Sequence, residues 1–126
     1  MIKVYALGVM KLLDYEGTGQ LYFSDTRLWS LYENFEEAEH AVINNYGDIY
    51  ERFYNYACIE EHYLVSKSYA NFSADMLMHK QWWYKATFYT KIIDSDHGSW
   101  AETDVKVAKM DGPPHGYENV VNIWVV

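Results

Sequence analysis

The sequence predicts an α+β domain: a single, mainly antiparallel sheet of about five to six strands, with one principal helix over about residues 35–45 packed on one face. Three observations carry this. Phe35, Ala38, Ala41 and Val42 recur at helical spacing behind a capping residue. Residues 54–59 (YNYACI) are apolar on both alternating sets, the mark of a strand covered on both faces. Further Val-, Tyr- and Trp-rich stretches alternate with Gly-, Asp- and Asn-bearing turns. At 126 residues the chain is expected to be one domain over 1–126, large enough to bury roughly two thirds of the surface its unfolded form exposes.

Residues 2–13 should form the first strand, apolar on both faces and so inside the sheet. Residues 14–20 (DYEGTGQ) carry turn chemistry through Gly17 and Gly19. This Gly-x-Gly lacks the further glycine and lysine of a phosphate loop and reads as a hairpin turn. Residues 21–24 extend a strand, and 27–32 (RLWSLY) form the second full one, with Arg27 and Trp29 on one face. Asn34 then caps the helix, with Glu37 at the capping-box position. Asn45, Tyr46 and Gly47 end it, Gly47 being suited to the left-handed position. The period changes after Asp48, giving a β-β-α-β beginning with residues 54–59 as central strand.

The pattern weakens over 64–81, where Ser73 is a plausible cap for a short second helix at about 73–80 serving as a flap or oligomer contact. Residues 82–93 (WWYKATFYTKII) are the next strong strand, and 105–110 and 120–126 are two more. A terminal strand reading VVNIWVV offers an open apolar edge, so self-association into a homo-oligomer is expected. Residues 94–98 (DSDHG) begin like a calcium loop, but the remaining donors are out of register and an ordinary turn is expected. Residues 111–116 (DGPPHG) are a rigid turn whose His115 has no carboxylate placed beside it.

The order F-x-x-A-x-x-A-V-x-N-N-x-x-D-I-x-E followed by Y-x-Y-A-x-I-E-E runs from Phe35 through Asp48 to Glu61. It resembles a group of small proteins of bacteriophages and gut bacteria, with an aromatic strand before the helix and a tryptophan-rich strand after it. The likeness covers roughly half the chain and departs at residues 66–81 and after Asp94. It implies a phage-type accessory protein of the counter-defence kind and carries no established activity.

Charge and composition narrow the function classes. A formal net charge of −8 argues against a general nucleic-acid or anionic membrane surface. No apolar run approaches the ~18 residues of a membrane span, and the start of the chain reads as a strand rather than a signal peptide, so a cytosolic protein is expected. Cys58 is the sole cysteine and reads as a buried structural thiol. The histidines lack metal-ligand spacing, Glu60 and Glu61 should point to opposite faces, and no nucleophile stands with a base, so neither a metal, a cofactor nor catalysis is expected.

Binding is the better class. Trp29, Tyr54, Tyr56, Trp82 and Tyr84 offer stacking faces, Asn44, Asn45 and Asp48 offer groups for a sugar or base edge, and Arg27 and Lys85 offer charge for phosphate. With the resemblance, this suggests a sponge that sequesters a small nucleotide-derived immune signal. The alternative is an acidic, aromatic-rich inhibitor that occupies a host defence protein, and an enzyme degrading such a signal ranks third. Arg27, Asn44 and Trp82 meeting in one concave pocket, especially one shared between subunits, would favour the sponge, and a convex acidic stripe with those residues dispersed would favour the protein inhibitor.

Overall fold

The computed structural model describes residues 2–14, 17–18, 21–45, 49–64 and 76–114. Five strands and two helices follow in the order β1 (Ile2–Asp14), β2 (Leu21–Tyr32), α1 (Phe35–Ile43), α2 (Ile49–Arg52), β3 (Tyr56–Leu64), β4 (Met76–Ser95) and β5 (Gly98–Lys109). They form one sheet in the order β2-β1-β3-β4-β5, antiparallel at every pairing, and α1 lies against β1, β2, β3 and β5. The α+β architecture is the expected one. β3 sits in the middle, as its two apolar faces require, though it starts at Tyr56 and runs on to Leu64.

The local chemistry of the helix is largely as read. The Glu37 amide donates to Asn34 Oδ1 at 2.8 Å, which closes the first turn, and Ala38, Ala41 and Val42 are buried against the sheet. Asn45, at φ 54°, takes the left-handed position that the sequence assigned to Gly47, a residue outside those described. Where an immediate strand was expected, Ile49–Arg52 makes a single helical turn that ends at Phe53, φ 55°. Asn55 then ties the start of β3 to β1. Its side chain accepts from Leu12 N at 2.9 Å and donates to Leu12 O at 2.7 Å, continuing the pairing one step past Met10 opposite Tyr56.

The expected short helix over 73–80 is corrected where it can be seen. Residues 76–80 are strand, paired from Leu64 opposite Met76 to Glu61 opposite Lys80, with a bulge that skips His79. Pairing along the edge of β3 outweighs the good helix propensity of Met and Leu in this stretch. Residues 73–75 and the proposed terminal strand 120–126 lie outside those described, as does His115.

Two cores follow from the alternation. On the helix side, Tyr5, Leu7, Val9, Ala57, Ile59, Tyr84 and Ala86 pack with α1, Ile49 and Tyr54. On the other side Met10, Leu12, Tyr56, Cys58 and Trp83 pack together, with Met110 against them. Beyond Lys85 opposite Tyr56, β4 leaves β3 behind and pairs with β5 alone. The result is a two-stranded ribbon out to Ser95 opposite Gly98, closed by the two-residue turn of Asp96 and His97. Its base is still tied to the body, Ala86 N donating to Asn55 O at 2.9 Å and Phe88, Val105 and Val107 packing on the helix-side core. Gly98 supplies the φ of 116° at its base, and Asp94 Oδ1 accepts from Ser99 Oγ at 2.5 Å. The DSDHG stretch is therefore a hairpin turn, as expected.

Candidate functional site

The fold distributes the residues expected to bind a ligand. Tyr54 and Tyr84 are buried in the helix-side core, against which Trp29 and Trp82 pack half-buried. Tyr56 belongs to the opposite core, and exposed Lys85 stands beside it across β3 and β4. Arg27 is exposed on the edge strand β2 opposite Val9, two strands away from the β3–β4 pairing that holds Trp82. Asn44 caps α1, its amide donating to His40 O at 2.8 Å, while Asn45 Oδ1 is buried with no hydrogen-bond partner among the described residues. Asp48 lies outside the described residues. Arg27, Asn44 and Trp82 thus do not converge.

What does converge near Trp82 is an aromatic and cationic surface beside α1. The Phe35 and Trp82 rings lie 4.3 Å apart, Tyr5 is 6.3 Å from Trp82, and Lys80 Nζ and Lys109 Nζ each sit 5.2 Å from the Trp82 and Phe35 centroids respectively. Lys109 also pairs with Glu39 at 3.2 Å, and the Tyr84 hydroxyl donates to Glu39 Oε2 at 2.6 Å. That hydroxyl, with Lys109 behind it, holds the Glu39 carboxyl below its ordinary value, while burial and then Glu39 push the Tyr84 phenol far up. The neighbouring groove, open and about 410 Å³, is lined by Tyr32, Glu36, Glu37, His40 and Ala41. Its carboxylates repel a phosphate.

Sequence reasoning missed a buried polar chain on the opposite face. Glu60 is fully buried and His62 is 2% exposed; His62 Nε2 lies 3.1 Å from Glu60 Oε1, and Gln81 donates to Glu60 Oε2 at 2.7 Å. Trp83 Nε1 in turn donates to Gln81 Oε1 at 3.3 Å. The signal was present as Glu-x-His on one strand, since residues two apart share a face. Both groups are sealed from solvent. Through Gln81 they link β3 to β4 beside the bulge. His62 Nδ1 has no partner among the described residues. Glu61, as expected, faces the other way and meets Lys3 at 3.4 Å.

Large apolar groups are exposed at Leu31, Ile43, Tyr50 and Phe53 as well as on the ribbon, which carries three of them, including Ile92, exposed more than any of the others. Ile92 is 62% exposed, Trp100 47% and Tyr89 45%. Register puts Ile92 beside Ala101 on one face of the tip and Ile93 beside Trp100 on the other. The rest is held by polar pairs: Trp100 Nε1 donates to Glu102 Oε1 at 2.8 Å and the Tyr89 hydroxyl to Asp104 Oδ2 at 3.1 Å. The Val105 amide and then Tyr89 lower the Asp104 carboxyl below its usual value.

Among the described residues no three His, Cys, Asp or Glu side chains gather as a metal site, and no helix is long and apolar enough to cross a membrane. No protein-family model matches the chain, and neither a curated protein nor a solved structure matches it.

Proposed function

We propose that the chain acts by binding rather than turnover, as an acidic inhibitor that occupies a protein partner in the counter-defence manner the phage resemblance implies. The β4–β5 ribbon carries this reading. An isolated two-stranded ribbon is marginal in water, yet here one extends past the core with Ile92 and Trp100 at its tip. Exposed aromatic and aliphatic groups on a projecting arm are what a partner's pocket takes up. Asp94, Asp96, Glu102 and Asp104 outweigh Lys91 and Lys106 along it, which disfavours nucleic acid and suits a protein surface with basic groups around an apolar recess.

A second reading, sequestration of a nucleotide-derived signal, draws support from the Phe35–Trp82 rings with Lys80 and Lys109 beside them. Native mass spectrometry separates the two. The wild-type chain and an Ile92→Ser/Trp100→Ser variant are each incubated with lysate of defence-triggered host cells. The inhibitor reading expects a host polypeptide on the wild type, reconstituted from purified components, and none on the folded variant. A small mass released unchanged from both proteins would replace it with the sequestration reading.

A further inference from the structure

The two edges of the sheet are built differently. β2 meets β1 with two breaks in register, the kind of irregularity that spoils an edge as a template, whereas β5 runs from Gly98 to Lys109 against β4 without a break. The outer side of β5 is unpaired among the described residues. Met110 N donates to Trp83 O at 2.8 Å, which fixes the phase: even-numbered residues of β5 turn their amides toward β4, and Ser99, Ala101, Thr103, Val105 and Val107 turn theirs outward. The Val105 amide is caught on that outer side by its own neighbour, Asp104 Oδ1, at 2.8 Å.

We propose that this edge pairs with the same edge of a second copy, antiparallel, about a two-fold axis at Val105. The stretch Thr103-Asp104-Val105-Lys106-Val107 is complementary to itself in that register. Val105 faces Val105, Thr103 faces Val107, and Asp104 faces Lys106 twice. The Val105 pair exchanges both backbone hydrogen bonds, its amide passing from Asp104 to the second copy's carbonyl. The Asp104 and Lys106 pairs then fall at non-hydrogen-bonded positions, where opposed side chains come closest, with Cα atoms about 4.5 Å apart. Moving the axis by one residue sets Asp104 against Asp104 or Lys106 against Lys106, so charge selects the register as well as the partner. The sheet becomes continuous across the pair, and both ribbons remain free at their tips. This inference stands independently of what the tips bind.

Sedimentation velocity of the purified chain tests it. The wild type should be a dimer. Lys106→Asp places carboxylates opposite each other twice and should weaken dimerisation on the order of tenfold or more, as should Asp104→Lys. The double exchange Asp104→Lys/Lys106→Asp should restore it. A second measurement holds even where a charge variant folds poorly: Asp104→Cys protein mixed with Lys106→Cys protein should oxidise to a covalent heterodimer, while neither cross-links alone, since the pair lies within disulfide reach. A monomeric wild type, a double exchange that fails to restore pairing, or cross-linking of either cysteine variant to itself would overturn the proposal.

Discussion

The two halves of β4 both carry aromatic and aliphatic side chains and stand in different circumstances. Trp83 is 2% exposed and Ile92 is 62% exposed, yet both sit in one aromatic- and aliphatic-rich strand stretch, WWYKATFYTKII. The first half pairs with β3, overlaps β5 only at Tyr84 and Lys85, and has a core on each face. The second has β5 alone. Burial along β4 follows the cores: the half opposite β3 packs on both of them, while the tip of the ribbon, past Phe88, packs on neither. Stability is accordingly expected to reside in the body of the sheet and binding in the ribbon.

The largest effect that would bear on this contrast is Trp83→Ala. It empties the centre of the core opposite the helix and removes the indole donor to Gln81, and should cost about 3–5 kcal/mol in urea unfolding. Next is Asn55→Ala, which leaves the Leu12 amide and carbonyl without their side-chain partner where β1 and β3 part; about 2–3 kcal/mol is expected by the same method. A loss below about 0.5 kcal/mol would mean that the body of the sheet does not depend on that clamp.

Tyr84→Phe is expected to be smaller, about 1–1.5 kcal/mol near neutral pH. Its pH dependence sharpens the test. Glu39 has a folded-state value below its ordinary one, so its contribution is present above the ordinary carboxyl range, about 4.3, and is lost as pH falls through the lower folded value. The gap between wild type and Tyr84→Phe should therefore close on acidification, as unfolding series at pH 7, 5 and 3, nominal values spanning that range of about 4.3, would record. The smallest change in stability, under about 1 kcal/mol, is expected for Ile92→Ser and Trp100→Ser, read by thermal melting.

Much of the fold was legible because its signals are local. Asn34 as cap, Ala38, Ala41 and Val42 as the packed stripe, and the double-faced apolar pattern of β3 each depend on a few adjacent residues. The strand at 76–80 was not legible, because what makes it a strand is the edge of β3, far away in sequence. Nor was the ribbon: nothing in WWYKATFYTKII marks the point where β3 stops. The Glu60–His62 contact was within reach, as two strand residues of one parity, but Gln81 joins them only through the register of β4. The ligand residues were chosen by chemical type, and type does not distinguish Tyr84, sealed beneath α1, from Trp82 at the rim.

One measurement addresses the division of labour directly. Residues 92–101 are replaced by Asn-Gly, which closes the ribbon at Lys91 opposite Glu102 with a turn suited to a two-residue hairpin. The shortened chain is then compared with the wild type in urea unfolding and in capture of the host polypeptide. The expected result is an unfolding free energy within about 1 kcal/mol of the wild type and complete loss of capture. A shortened chain that unfolds, or one that still captures the partner, would contradict the account.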